Sequence, residues 1–346
     1  MKSLIVDHKG RLSIQELPMP KMDDYKALVK MESCGVCNGT DMKLIHRNFK
    51  NFDTYPAVLG HEGVGRVVEK GKLVTGFEIG DLVLLPFLEE KEGEYYPGWG
   101  AFSEYAVVGD AKAMIRDGKG PGTPYFSESY FAQQVIPESV DPVGAAMIIT
   151  FREVLSAMKR FGMGANKSLV VFGAGPVGMC FIKFAKLLGM GPVISFDVAD
   201  EKVKDALNIG ADYAFNSTKH DVPGAVKDIL PDLADFVVDA VGMNQLINQA
   251  MSLIKYNGKI CCYGISPKLN MDLDWSQAPY NWSLDFVQWP SKKEESEAHS
   301  QIISWVQLGV LDPNDFISHV IPFDHVINAF EMVENREATK KIIIKF

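Results

Sequence analysis

Cysteine is scarce in this chain, with five in 346 residues. That is too few for a disulfide framework, so the thiols are expected to be reduced and the protein to be cytoplasmic. Long apolar runs are missing as well. None reaches the roughly 18 residues that a membrane helix needs. The start, MKSLIVDHKGRLSIQELP, has neither the apolar stretch nor the small-residue cleavage site of a signal peptide. Positive charge is in deficit: 35 Lys and Arg against 44 Asp and Glu leave a formal net charge of −9. A nucleic-acid or acidic-membrane partner requires a basic footprint, which this balance does not supply. Internal repeats and low-complexity runs are also lacking.

What is present is an ordinary globular composition, 47% hydrophobic and 23% charged, in a chain longer than one core usually holds, so two domains are expected. The first hundred or so residues read as β. Apolar segments recur at Leu4–Val6, Ala27–Met31, Val64–Val68, Leu82–Leu85 and Phe102–Val108, punctuated by glycine and proline. From Ser168 the pattern changes to strands alternating with helices. Strands are expected at Ser168–Phe172, Pro192–Asp197, Asp235–Val238 and Lys259–Tyr263, and helices at Val177–Leu188, Glu201–Asn208 and Gln245–Ile254. That alternation predicts a doubly wound parallel sheet. The last stretch reads as helices near His299–Leu308 and Asp324–Asn335 and a strand Lys341–Phe346, assigned back to the β-rich domain. Residues 1–150 and 290–346 then form one domain, and 151–289 an inserted α/β domain. The charged stretch SKKEESE, Ser291–Glu297, reads as a solvated helix start.

Gly173-Ala-Gly175-Pro-Val-Gly178 is a GxGxxG loop that an apolar strand enters and a helix leaves. Such a loop cradles a pyrophosphate. Its first glycine makes the turn, its second lets the backbone approach the phosphate, and its third allows close helix–strand packing. Asp197 lies 19 residues beyond Gly178, where a carboxylate holds ribose hydroxyls and repels a 2′-phosphate. NAD is therefore expected over NADP. Pro176 and Val177 in the loop, with Val241 and Gly264 further along, complete the expected cofactor contacts. In the β-rich part, Cys37, the Thr40-Asp41 pair and His61-Glu62 offer thiolate, imidazole and carboxylate, the usual ligands of zinc.

YPAVLGHEGVGRVVEKG (Tyr55–Gly71), GDLVLLP (Gly80–Pro86), GAFSEYAVV (Gly100–Val108) and GAGPVG together resemble the zinc-dependent medium-chain dehydrogenases, sorbitol dehydrogenases among them. The likeness runs to the C-terminal FDHVINAFEMVENREATKKIIIKF. The resemblance implies a GroES-like catalytic domain, a Rossmann domain and a zinc in the cleft between them. It also implies a homodimer or homotetramer. By the same resemblance Cys37 and His61 bind zinc, and the Thr40 hydroxyl starts a proton relay.

The departures from the family pattern are specific. Two residues, Asn38 and Gly39, separate the cysteine from the hydroxyl where the family usually has one, so the loop must bulge; Cys34 offers a second thiol. The family's third ligand falls near Ile149, which cannot coordinate. Glu62 is the natural substitute, with water in the fourth position and Glu153 as a weaker candidate. Lys43 stands where the relay often ends in histidine; it is either a proton carrier or a solvated surface charge. Phe87–Trp99 contains no cysteine, so one catalytic zinc and no structural zinc is expected. Cys180, Cys261 and Cys262 read as buried small hydrophobes.

Asp110–Gln134 is longer than the family usually needs and loop-like; it is either a lid, pocket wall or subunit contact, or a neutral surface insertion. Tyr95, Tyr96 and Trp99 either line a pocket or cover the barrel. In Trp282–Pro290, Asp285 stands where a sorbitol-type enzyme is expected to have a positive side chain, and no basic cluster suits a sugar phosphate. The expected function is zinc- and NAD-dependent oxidation of a secondary alcohol of a polyol or sugar, with Thr40, Glu62 and Lys43 as the catalytic candidates. Two alternatives stay open: a zinc-free NADPH-dependent double-bond reductase and a catalytically silent nucleotide binder.

Overall fold

Two units divide the chain in the computed structural model, which describes residues 1–346: Met1–Arg152 with Ser291–Phe346, and Glu153–Pro290. No helix is long and apolar enough to cross a membrane.

The first unit runs β1 (Lys2–Val6), β2 (Leu12–Glu16), β3 (Lys26–Gly35), α1 (Asp41–Ile45), β4 (Ala57–Val58), β5 (Glu62–Lys70), β6 (Leu82–Leu84), β7 (Tyr96–Pro97) and β8 (Tyr105–Gly109). It continues with α2 (Ala111–Arg116), α3 (Ser129–Ala132), β9 (Val135–Ile136) and the start of α4 (Pro142–Phe161). The second unit holds β10 (Leu169–Phe172), α5 (Pro176–Leu187), β11 (Val193–Asp197), α6 (Asp200–Ile209), β12 (Tyr213–Asn216), α7 (Val222–Ile229), β13 (Ala234–Asp239), α8 (Asn244–Ala250), β14 (Ile254–Cys262) and β15 (Trp282–Phe286). The chain then returns to the first unit with α9 (Lys292–Gln307), β16 (Ile317–Pro322), α10 (Val326–Glu334) and β17 (Lys341–Lys345).

β3 is the spine of the first unit. It pairs antiparallel with β5, β8 and β17. Its alternation turns Ala27, Val29 and Met31 into a core shared with Leu4, Val67, Phe102 and Ile344, which is the period-2 burial that fixes register in a sheet. A smaller sheet, ordered β2-β1-β4-β7, covers the same core.

The second unit is a six-stranded parallel sheet in the order β12-β11-β10-β13-β14-β15. This is the doubly wound order whose direction reverses beside the first strand. Its central strands are apolar on both faces, with Leu169–Phe172 and Val193–Phe196 all buried, as sheets covered on both sides require. The helix expected over Gln245–Ile254 stops at Ala250. Leu253 and Ile254 belong instead to the buried core, and Ile254 opens β14 opposite Ala234. A short apolar run reads equally well as helix or strand, and the sheet decides it here.

Two local expectations change on folding. The stretch Asp110–Gln134 is not wholly loop. Asp110 caps α2, and its carboxylate accepts from Ala113 N at 3.0 Å, Thr75 N at 2.8 Å and Gly76 N at 2.7 Å. Burial opposes that charge, but the backbone donors outweigh it and hold the carboxyl below its ordinary range. Tyr25, Met114 and Tyr130 give this segment a small core of its own. The charged stretch at Ser291 does start a helix, through a capping box between Ser291 and Glu294. It is not simply solvated, however: Lys292 and Glu295 are buried and paired at 2.8 Å.

The α9 helix also brings His299 into the interior. Its Nε2 lies 3.1 Å from the Val135 carbonyl, and its Nδ1 lies 3.4 Å from the Nη1 of Arg152, a fully buried guanidinium that donates to Gln134 at 2.8 Å. Burial first, and the Arg152 charge second, push the imidazole from 6.5 down to about 4. The unfolded chain therefore binds an extra proton between these values, and stability contributed above about pH 6.5 is lost as pH falls towards about 4. The loss is at most about 3 kcal/mol. Thermal unfolding followed across that range should show a shallower acid-side decline in His299→Asn than in the native protein.

Candidate functional site

The residues singled out for metal chemistry converge in the first unit. β3 ends at Gly35, directly opposite Glu62 in the β3–β5 register. A Cβ on Gly35 would lie 2.2 Å from Glu62 Oε2, so the glycine makes room for the carboxylate. Beyond it the chain turns through Cys37. The Cys37 N–H donates to Asp41 Oδ2 at 2.9 Å, and the Asp41 N–H donates back to the Cys37 carbonyl at 3.0 Å. The added residue is absorbed here: Asn38 and Gly39 are exposed, while Thr40 and Asp41 are buried at the start of α1. On the other side Gly60, at φ +100, brings its backbone against Phe102, where a Cβ would lie 2.4 Å from the Phe102 nitrogen. His61 and Glu62 follow at the start of β5.

Cys37, His61 and Glu62 each present a ligand atom, and these atoms lie within 4.8 Å of one another. One thiol, one imidazole and one carboxylate form the three-protein-ligand set of a catalytic zinc that keeps a fourth position open. Asp41 is fully buried, with Oδ1 3.2 Å from His61 Nδ1. A carboxylate behind a ligating imidazole orients the ring and raises its basicity. Burial works against a charge on His61, but Asp41 and Cys37 more than offset it and hold the imidazole well above its ordinary pKa. Two buried carboxylates here, Asp41 and Glu62, face one buried ammonium, Lys341. Beside Lys341 the pocket holds a second positive charge, on the His61 imidazole or on a bound cation that replaces its proton, since buried charge is costly unless compensated. The donor set fits a zinc ion.

Lys341 is the group that sequence reasoning missed. Its Nζ donates to both Glu62 oxygens at 2.7 Å, across 279 residues of sequence. Thr150 Oγ1 lies 3.5 Å from Glu62 Oε1, one residue after the buried Ile149. The only hint in the sequence was a lysine opening the apolar run IIIKF. Cys34 is buried on β3 with its thiol pushed well up by burial, and neither it nor Glu153 is a member of the metal-ligand group. Lys43 is half-buried, and its Nζ donates to the Gly39 carbonyl at 2.8 Å, bracing the cysteine loop. Trp99 packs on His61 with ring centroids 5.5 Å apart.

The nucleotide signature lies in the second unit, along the carboxyl ends of its strands. Gly173 leaves β10 at φ +94, and a Cβ there would meet the Val241 side chain at 2.6 Å. Gly175 caps α5, and its Cβ position is open space. Pro176 and Val177 begin the helix. At Gly178 a Cβ would fall 1.8 Å from the Gly173 carbonyl oxygen, the tightest approach of the loop. Asp197 ends β11 and accepts from Ala174 N at 2.8 Å and Ala199 N at 3.1 Å. Asp239 ends β13 and accepts from the Val241 and Gly242 N–H groups at 2.9 Å; the Gly264 N–H donates to its carbonyl at 2.8 Å. Burial pushes the Asp239 carboxyl up. A Cβ on Gly264 would meet the Gly242 nitrogen at 2.1 Å. The crest is therefore bare backbone with a carboxylate one strand away, which suits a dinucleotide. Asp285, on β15, is paired with Lys259 at 2.7 Å.

A parallel nucleotide-type sheet and a separate β-rich unit with a Cys–His–Glu group define a metal- and nicotinamide-dependent oxidoreductase of the two-domain dehydrogenase class. Comparison with known proteins agrees. Residues 23–116 match the family model described as alcohol dehydrogenase GroES-like domain, and residues 176–286 the one described as zinc-binding dehydrogenase. The chain is 30% identical over 357 aligned residues to an alcohol dehydrogenase of Geobacillus stearothermophilus, covering 100% of this chain and 99% of that protein. It is 25% identical to a sorbitol dehydrogenase of Bombyx mori, over 95% of this chain and 94% of that one. Its fold is similar to galactitol-1-phosphate dehydrogenase from Escherichia coli, with a TM-score of 0.80 at 20% identity and 100% coverage of both chains. The chain belongs to the zinc-binding, GroES-like alcohol dehydrogenase family, the zinc-dependent medium-chain dehydrogenases.

The Lys341–Glu62 pair carries a direct test. Removing one partner of a buried pair leaves the other charge uncompensated, at a cost of about 3–5 kcal/mol. Lys341→Met should lower the denaturant midpoint accordingly, and adding Glu62→Gln should restore part of the loss.

Proposed function

We propose that this enzyme is a zinc- and NAD-dependent dehydrogenase that interconverts a secondary alcohol of a neutral polyol or sugar and its ketone. The observation that carries the reading is the convergence of Cys37, His61 and Glu62 ligand atoms within 4.8 Å, beside the buried carboxylate of Asp41. Cys37, His61 and Glu62 would hold the ion. Bound zinc supplies Lewis acidity towards an alcohol oxygen, and bound NAD supplies the hydride-accepting ring.

The remaining work falls to the chain's own side chains. Asp41 orients His61. Lys341 holds the Glu62 carboxylate in place. The buried Thr40 hydroxyl takes the alcohol proton and passes it outward, with Lys43 the next titratable group along α1. In the second unit Gly175 leaves backbone open to a pyrophosphate, Gly173 and Gly178 allow the tight turn and close packing behind it, and Pro176, Val177, Val241 and Gly264 flank the site. Asp197 accepts the ribose hydroxyls and repels a 2′-phosphate, which favours NAD. Asp197 and the Cys37–His61–Glu62 group together weigh against a zinc-free NADPH-dependent reductase. The family resemblance supports a homodimeric or homotetrameric assembly.

Cys37→Ser or His61→Ala should lose the roughly one zinc per chain measured after dialysis and abolish turnover, while NAD affinity survives. Near-native rates in either variant would refute the zinc mechanism. Asp197→Ala should lower the NAD-over-NADP ratio of kcat/KM about tenfold or more, as loss of charge-assisted hydrogen bonds predicts. An unchanged ratio would remove Asp197 from cofactor selection.

A further inference from the structure

Two features supply no ligand to the metal or nucleotide sites: the 110–134 segment and the aromatic residues around Trp99. They meet in the first unit. A cavity of about 480 Å³ opens between the loops carrying Phe52, Phe87 and Trp99 and the segment carrying Tyr125, Phe126 and Tyr130. Its size is that of a small-molecule site.

Trp99 ties this cavity to the metal-ligand group, since the same ring that lines it packs 5.5 Å from the ring of His61. The Trp99 backbone sits at φ +66, a left-handed conformation costly for a bulky residue and concentrated at functional sites. A T-shaped contact with Phe49 at 5.9 Å helps hold the ring. The opposite wall is pinned separately. The Lys119 ammonium lies 4.5 Å from the centre of the Tyr25 ring and 4.8 Å from that of Tyr125, so one cation clamps the segment to the barrel.

The lining has a definite chemistry. It is dominated by aromatic rings, with Ser127, Ser129 and Glu89 as its polar members and no lysine or arginine. Glu89 is already paired with Lys26 at 2.6 Å. Nothing in the lining would attract a phosphate or carboxylate. Tyr125 is 63% exposed, so the rim stays in water. Flat rings on the walls and a wet, hydroxyl-bearing rim suit a ligand with an apolar C–H face and a hydroxylated periphery.

We infer that this cavity is the distal substrate subsite and that it takes a neutral polyhydroxylated ring, a cyclitol or ring-form sugar, rather than an open-chain or phosphorylated polyol. The inference rests on the proposed alcohol oxidation for its reaction, and adds the shape and charge of the substrate. Trp99 and Phe52 stack on the ring face, Tyr125 and Phe126 close over it, and Ser127 and Ser129 meet its hydroxyls.

The test compares kcat/KM with NAD for inositol, a ring-locked methyl glucoside, the open-chain hexitol sorbitol, benzyl alcohol and 2-propanol. Inositol matches sorbitol in carbon and hydroxyl count, so the pair isolates ring closure. At least one cyclic polyol should exceed sorbitol by about tenfold or more, and inositol against the glucoside tells cyclitol from sugar. Tyr125→Ala should cut the cyclic-polyol over 2-propanol ratio about tenfold, chiefly through KM. Calorimetric binding of the cyclic polyol should weaken in the same variant. Sorbitol equal to or better than both rings, benzyl alcohol better than both, or a ratio unmoved by Tyr125→Ala overturns the inference while leaving the proposed oxidation intact. If no alcohol reduces NAD, the proposed reaction falls, and the cavity assignment is then decided by whether calorimetry shows ring binding that Tyr125→Ala weakens.

Discussion

Burying two carboxylates beside a thiol and an imidazole is the constraint on which the first unit turns. Asp41 and Glu62 are almost wholly removed from water, and each is held by a different part of the chain. The Cys37 backbone N–H holds Asp41, and Lys341, from the last strand, holds Glu62 on both oxygens. Leaving either charge unpartnered would cost several kcal/mol, a large part of a typical domain's stability. The arrangement therefore persists only if β17 closes onto β3 and residue 35 is a glycine that brings no side chain against Glu62. The C-terminal strand is part of the candidate metal site as well as an interior strand of the sheet, paired with β16 on one side and β3 on the other.

The same constraint explains what each neighbour does. Glu62 opens β5 and His61 immediately precedes it, so one turn at Gly60 places both. The short helix α1 supplies Asp41 from behind, and Lys43 folds back onto the Gly39 carbonyl to hold the exposed part of the cysteine loop. The second unit solves its problem differently. Its site is mostly absence: glycines whose missing side chains keep a strand crest open, and the buried Asp239, whose carboxylate holds the loop after β13 and whose carbonyl holds the end of β14. One site depends on compensated charge and the other on empty space.

The cavity beside Trp99 shows how a segment with little regular structure becomes specific. Asp110 anchors its start through three backbone N–H groups, and Lys119 clamps its middle between two tyrosines. Just beyond these anchors the chain can present Tyr125 and Phe126 without strands or long helices. Loops that carry binding residues on a rigid scaffold follow this pattern.

Much of this was legible from the residues alone, for local reasons. GAGPVG with its flanking strand and helix, Asp197 at its set distance, and the His61-Glu62 pair are short-range patterns. The backbone geometry they need is written in neighbouring residues. Alternating strands and helices likewise announced the parallel sheet. What only tertiary structure decided depends on partners far apart in sequence. Lys341 against Glu62 and Trp99 against His61 are contacts that no periodicity encodes. The burial of Lys292 with Glu295 inside an apparently solvated stretch, and the passage of Ile254 from the expected helix to the sheet, have the same origin. A side chain's own chemistry says which interactions it can make, and the packed chain sets which partner and how much water it meets.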